Sequence, residues 1–468
     1  MHGKPPVDVM HMRSGKPMRD RWQMIMNRTR RSTGKVPRMQ ATFSLALCQA
    51  LLLGPAMTLV GKAQGSIPTS TATTARASVK TDRTVYPEPP LPKLPRAGGK
   101  FLDTTFGTEL MRVTDEADGA SNGTFYSYWP TFNSNSTRLL VRRAKGDSLY
   151  TFDPNRFALG GRVDLPRAPD NSTLVAESAV WSTTDPDTLY ATGWQGPRLW
   201  AINARTQTCT LIHDFGRGEM SPTDFLWQMS VSDDGDVFAF THKNRDYKVL
   251  GYTVYRRSKG RVILEVSATD VNEVRLDKSG RYLVVSSGVA HAPGLIRDLQ
   301  TGHVDKIVDG APDYGPGHGD IGHRMLVAWD NDDNRLLYRR LATPHVFRSV
   351  LNLRGDWMNL HLSLLGANEE WALVSFYSYR GVGGTGPGLF HNELVLVSTD
   401  GSQRVRRVAH HRSVPQDYWD TPRANLSRDG RFVAFSSNWG GRKRQDLFIA
   451  RLDPPLSSPN AAPRVRAQ

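Results

Sequence analysis

The stretch Tyr314-Gly315-Pro316-Gly317-His318-Gly319-Asp320-Ile321-Gly322-His323 is the densest cluster of reactive side chains in the chain. Its two imidazoles and one carboxylate fall within six residues, and the glycines between them let the backbone pass close to a ligand. Imidazole nitrogen and carboxylate oxygen are metal donors, so His318, Asp320 and His323, with His361 of Asn359-Leu360-His361, are candidate ligands for a divalent ion. An imidazole that changes charge near neutral pH serves equally as a general acid or base. An Asp–His pair can also do no more than staple a loop. The residues alone leave metal cluster, acid–base site and staple open, and no cofactor is fixed by them.

Other polar segments could complete such a site: Thr241-His242-Lys243-Asn244-Arg245, Tyr377-Ser378-Tyr379-Arg380, Asp420-Thr421-Pro422-Arg423-Ala424-Asn425, and Asn438-Trp439. Arg380 and Arg423 carry the planar fork that pairs with a carboxylate. Tyr379 and Trp439 offer aromatic faces for a pyranose ring, and Asn438 an amide. The set suits an acidic, uronate-containing carbohydrate. No Gly-x-Ser-x-Gly elbow, P-loop or His-Glu-x-x-His occurs, which leaves serine hydrolase, nucleotide and zincin chemistry without support.

The elements that must carry these segments repeat along the chain. A polar turn followed by a short β-rich run recurs at Asn135-Ser136, Asp185-Pro186-Asp187, Asp234-Gly235, Ser279-Gly280, Asp332-Asp333-Asn334, Asn368-Glu369 and Asp429-Gly430. These seven hairpins span 294 residues from Asn135 to Asp429, a mean period of 49. A period of that size with several β runs per unit predicts an all-β, seven-bladed β-propeller over residues 99–453. Most hairpins precede a third and a fourth run, and Val346-Phe347 is taken as the third run of blade five. After the seventh hairpin no fourth run remains before Pro454-Pro455, whereas Phe106–Asp115 near the other end reads as a spare outer strand. Pairing the two would close the ring and leave no open terminal edge. Alternate residues on a strand point to one side, so one residue per blade, at the start of each inner strand, could meet at the axis. Trp129, Trp181 and Trp371 are expected to pack between blades, and His410-His411 to serve structure.

The last repeat carries a family resemblance. Leu426-Ser427-Arg428-Asp429-Gly430-Arg431-Phe432-Val433-Ala434-Phe435-Ser436-Ser437-Asn438-Trp439-Gly440-Gly441, followed by Asp446-Leu447-Phe448-Ile449-Ala450, resembles the repeat of TolB-type propellers. Val231-Ser232-Asp233-Asp234-Gly235 and Leu276-Asp277-Lys278-Ser279-Gly280 are weaker copies. The architecture is also similar to that of propeller polysaccharide lyases such as oligogalacturonate and ulvan lyases. That resemblance implies β-elimination, with His318 or His242 as base, Tyr379 as proton donor, and Arg380 or Arg423 as carboxylate clamp. It also implies a pair of metal-binding histidines opening the last blade, where this chain has Arg423 and Asn425. The alternative is a non-catalytic scaffold that binds a protein or glycan of the cell envelope.

Composition limits the remaining choices. The 468 residues carry a formal net charge of +15, but residues 1–40 account for +8, residues 41–98 for +4 and residues 454–468 for +2. Residues 99–453 are left at +1, too little clustered charge for a nucleic-acid surface. Two cysteines, Cys48 and Cys209, exclude a disulfide framework and a Cys-based metal site. Residues 1–63 read as an N-terminal extension with a signal segment: Arg28, Arg30, Arg31, Lys35 and Arg38 precede the uncharged run 41–60, and Gly61-Lys62-Ala63 offers a cleavage site. Export to the periplasm or the medium is expected, without a transmembrane anchor after processing. Residues 64–98, rich in Pro, Ser and Thr, read as an extended linker, residues 454–468 as a tail, and the mature protein as a monomer.

Overall fold

The structure is a computed structural model that describes residues 79–143, 146–289, 292–309, 314–353, 358–378 and 388–456. The signal segment, Cys48, Tyr379, Arg380 and most of the tail lie outside the described residues. Seven antiparallel sheets follow one another along the chain, six of four strands and one of five. Each blade is a meander, as in blade three, where Phe225–Val231, Val237–Lys243, Val249–Arg256 and Arg261–Ser267 pair in sequence order. The repeat thus forms a seven-bladed β-propeller.

The hydrophobic pattern explains the layering. Middle strands are covered on both faces by neighbouring blades, and Glu393–Ser398 and Phe432–Ser437 are buried along their whole length. Most outer strands face water, as the largely exposed Ala158–Asp164 does, whereas Val405–His410 of blade six is buried. Clusters of apolar side chains fill the seams; Trp129, Leu140, Trp181 and Leu189 join blades one and two. The inner hairpin turns use a left-handed glycine, with φ of 69° at Gly235 and 66° at Gly430, where a β-carbon would be strained.

In blade five the strands fall one place earlier than the repeat spacing suggests. The inner strand Gly319–Ile321 turns at 322–324 into Met325–Asp330, and Asp332-Asp333-Asn334 joins this second strand to the third, Arg335–Arg340. Val346-Phe347 accordingly leads into the outer strand Phe347–Asn352, not the third. The apolar run from Met325 follows Gly-His-Arg instead of an Asp-Gly turn, which hides the first hairpin.

The ring closes between its ends. Glu109–Arg112 pairs with Asp446–Arg451 through Leu110↔Ala450, Met111↔Ile449 and Arg112↔Phe448, supplying the outer strand that blade seven lacks. Lys100–Leu102 then adds a fifth strand outside it. Asp446 clasps the junction: its carboxylate accepts from Arg112 Nη2 at 2.7 Å, from Thr114 Oγ1 at 3.0 Å and from Arg444 Nε at 2.9 Å. Blade one is drawn in beside it, since Asn122 donates its backbone N–H to Gln445 O at 3.0 Å.

Residues 79–98, the described part of the expected extended linker, lie along blades six and seven. Arg407 donates its backbone N–H to Lys80 O at 2.9 Å and its Nη1 to Thr84 O at 2.8 Å. Trp439 Nε1 donates to Pro92 O at 3.2 Å, and Arg412 Nη1 to Pro89 O. A proline-rich stretch lacks N–H donors but keeps its carbonyls, and buried arginine and tryptophan donors of the blades take them up. No helix among the described residues is long and apolar enough to cross a membrane.

Asp446→Ala should leave the buried Arg112 guanidinium without its main counter-charge. The expected loss is about 3–5 kcal/mol of unfolding free energy, read by chemical denaturation. An unchanged midpoint would contradict the clasp.

Candidate active site

Blade one sends an aromatic loop to the axis, and the loop builds the site. The blade's inner strand is only Asn122–Gly123, after which Thr124-Phe125-Tyr126-Ser127-Tyr128-Trp129-Pro130 leaves the sheet. Trp129 Nε1 donates to Met229 O of blade three at 3.1 Å, and the Tyr128 hydroxyl donates to Glu273 of blade four. The Tyr126 hydroxyl lies 3.4 Å from His318 Nδ1 of blade five, and its ring meets His361 of blade six at 5.0 Å. From blade seven, Asn425 Nδ2 donates to Tyr126 O at 3.2 Å, while Asn425 Oδ1 accepts from Thr131 N at 3.3 Å. A single loop that touches five other blades can only lie in the central channel.

The two ends of the channel differ. His318 precedes the inner strand Gly319–Ile321, whereas His323 follows it, exposed at the hairpin-turn end. At that turn end, Arg428 of blade seven pairs with Asp233 of blade three at 3.0 Å, and Lys278 of blade four with Glu369 of blade six at 2.7 Å. These pairs tie together blades that are not adjacent in the ring. Asp320 sits between the ends as a staple: it pairs with Arg275 of blade four and accepts the backbone N–H of Leu364 of blade six. Arg275 also lies over the Tyr128 ring at 3.7 Å. Of His318, Asp320, His323 and His361, the fold brings His318 and His361 together, commits Asp320 to Arg275 and leaves His323 at the turn end. Among the described residues no group of three His, Cys, Asp or Glu side chains is placed to hold a metal.

What the fold does assemble is a pair of imidazoles with a phenol. The rings of His318 and His361 lie 4.7 Å apart, and His361 stacks on Tyr377 at 5.1 Å. His318 is open to solvent, yet protein atoms crowd around its ring, and desolvation pushes its pKa down to about 4. His361 is buried with no hydrogen-bond partner on either nitrogen; burial, then His318, then Arg423 hold it well below the usual imidazole range. Burial, followed by the neighbouring phenols, raises Tyr126 well above the usual phenol range, so it keeps its proton.

Arg423 lies behind this pair and is fully buried. Its Nη2 donates to Trp419 O at 2.6 Å, Nη1 reaches Phe125 O at 3.5 Å, and Nε has no partner. Its guanidinium faces the Trp419 ring at 4.9 Å. No acidic side chain pairs with it among the described residues.

The remaining sequence candidates lie elsewhere. His242 ends the second strand of blade three, opposite Leu226 and Gly251, one strand out from the axis; burial lowers its pKa against the pull of Asp224 and Glu265. Asn438 is spent on a loop, accepting from Val414 N at 2.8 Å and donating to Val414 O at 2.9 Å. Trp439 is buried and stacks on Phe448 at 4.8 Å, which takes its face away from any sugar. The sequence analysis missed Tyr126, although the aromatic run Phe125-Tyr126-Ser127-Tyr128-Trp129 in a place where other blades have a β run was the signal for it.

Among solved structures the chain is similar to an oligogalacturonate lyase in complex with manganese, with 14% identity and a TM-score of 0.57 over 77% of this chain and 97% of that one. It is similar to an oligogalacturonate lyase from Vibrio parahaemolyticus at 13% identity and a TM-score of 0.57, over 75% of this chain and 96% of that one. No family model and no curated protein matches the sequence. At such identities the likeness is one of fold, and it defines the class: a seven-bladed propeller of the architecture that these lyases use.

Tyr128→Phe should strand the Glu273 carboxyl in the channel without its phenol donor. A loss of about 1–3 kcal/mol in unfolding free energy is expected, measured by thermal and denaturant melts. A variant as stable as the parent would contradict the anchoring of the loop.

Proposed function

We propose that this protein is an exported propeller that binds an acidic, uronate-containing oligosaccharide at the His318 end of its channel and cleaves it by β-elimination. The observation that carries the reading is the contact between the solvent-open His318 and Tyr126, with a buried positive charge behind them. The shared fold with oligogalacturonate lyases supports it, and the uncharged run 41–60 behind an arginine-rich segment supports export.

The chemistry needs a base for the proton α to the sugar carboxylate, an acid for the leaving oxygen, and positive charge near the enolate that forms. In the tautomer that carries its proton on Nδ1, His318 donates to the Tyr126 oxygen and keeps Nε2 free as the base. Desolvation keeps this imidazole neutral at pH 7 and able to accept. The C–H electron pair moves to the carboxylate-stabilised carbanion and then forms the ring double bond as the glycosidic C–O bond breaks. The Tyr126 phenol gives its proton to the departing oxygen. The imidazolium Nδ1 proton then passes to the phenolate, which restores Tyr126; exchange of the Nε2 proton with solvent and reprotonation of Nδ1 restore His318.

His318→Ala should abolish formation of the unsaturated product by roughly 100- to 10,000-fold, while thermal stability changes by about 0.5 kcal/mol or less. Tyr126→Phe should lower kcat more than it raises KM. The assay is ultraviolet absorbance of the unsaturated product across a panel of acidic polysaccharides. If no member of the panel is bound or cleaved by the parent protein, the reading fails and a non-catalytic envelope scaffold takes its place.

A further inference from the structure

The solved lyase that shares this fold holds manganese, so the fit of such an ion to the present residues is a fair test. Manganese prefers oxygen donors, carboxylates above all. The channel mouth offers two neutral imidazoles and a phenol that keeps its proton. Asp320, the acid nearest His318 in sequence, is committed to Arg275 and Leu364 N. A ligating histidine normally gives its second nitrogen to a carboxylate or carbonyl that orients it, yet neither nitrogen of His361 has a partner. The segment 379–387, which follows Tyr377 and Ser378, contains no His, Asp, Glu or Cys. The described residues do not fit the ion.

Arg423 makes the misfit a matter of charge as well as count. A buried guanidinium without an acidic partner leaves a net positive potential around it. Its charge acts on His361, and nothing acidic among the described residues of the mouth offsets it. A divalent cation would add a second positive centre to a desolvated pocket, whereas an anion would neutralise the first. Arg423 also shapes the mouth, since Thr124 Oγ1 donates to its carbonyl at 3.0 Å and its Nη1 reaches Phe125 O, both at the root of the tyrosine loop.

We infer that the His318–His361 mouth is a metal-independent carboxylate site, in which the buried Arg423 charge supplies the attraction that a metal ion would otherwise supply. Arg423 is fully enclosed, so it acts as a positioning residue through its field and through the loop it holds, not by touching the ligand. The inference rests on the uronate reading for the identity of the sugar, but not for the sign of the charge that the site prefers.

The test uses the full chain after treatment with a chelator. Binding of galacturonate, galactose and acetate is followed by histidine side-chain NMR, and binding of Mn2+ by electron paramagnetic resonance. Galacturonate and acetate should shift the His318 signals equally before and after chelation, galactose should not, and added Mn2+ should keep the spectrum of the aqueous ion. Arg423→Gln should weaken anion binding roughly tenfold or more, and Arg423→Lys should restore most of it, which a purely structural role would not produce. Stoichiometric Mn2+ binding that His361→Ala abolishes, or galacturonate binding that requires Mn2+, would overturn the inference while leaving the uronate reading intact. Binding of acetate without galacturonate would overturn the uronate reading and support the anion site. If neither anion binds, the inference fails. Should Arg423→Gln not fold, the chelation and Mn2+ measurements on the parent chain decide.

Discussion

The buried carboxylate of Asp446 is the interaction on which the rest of the molecule depends. A propeller has no covalent closure, and its first and last blades are far apart in sequence. Asp446 opens the third strand of blade seven and binds Arg112 and Thr114, which belong to the strand that arrives from the N-terminal side. Each of these groups would be costly to bury alone; together they satisfy one another. The pairing of Leu110 and Met111 with Ala450 and Ile449 follows, and blade one is thereby seated against blade seven. Only with blade one in that position can its aromatic loop enter the channel.

That loop turns a structural ring into a site. Five blades send an inner strand of three to eight residues to the axis; blades one and seven send two residues each, and in blade one tyrosines follow. Tyr128 anchors on Glu273, Trp129 on Met229 and the loop backbone on Asn425, so that Tyr126 is left against His318 and His361. The site is thus made of groups that are neutral at pH 7, set beside one charge that is not compensated. The same logic recurs away from the axis. His411, buried and pushed down to about 3, donates from Nε2 to Phe376 O at 2.8 Å and accepts the Ser413 N–H on Nδ1 at 3.0 Å. Since these imidazoles have folded pKa values below their unfolded ones, the stability they contribute is full above about pH 6.5 and is lost as pH falls to about 4 for His318 and about 3 for His411.

The ring was legible in the sequence because its signals are local. Asp429-Gly430 before Phe432-Val433-Ala434-Phe435 is a turn followed by a strand buried on both faces, and the missing fourth strand of the last repeat pointed to Phe106–Asp115, within which Glu109–Arg112 forms that strand. Blade five misled because its first turn lacks the Asp-Gly signature. The site was legible only in part. His318 and His361 stand at the start of inner strands, as the repeat register suggested, and the fold brings them together. Trp439 and Asn438 looked like ligand contacts because they follow a strand, but their partners Phe448 and Val414 are distant or non-obvious in sequence, so burial could not be foreseen. Tyr126 meets His318 across 192 residues, and no spacing within one repeat encodes a contact between blades one and five.

The most direct test of this account is a pH titration of the histidine side chains by NMR, with His318 assigned through His318→Gln. If the closed ring seats the aromatic loop in the channel, His318 remains neutral at pH 5 and titrates near 4. A His318 that titrates near the ordinary imidazole value of about 6.5 would contradict it, because the imidazole would then lack the protein atoms that desolvate it, and lie away from Tyr126 and His361.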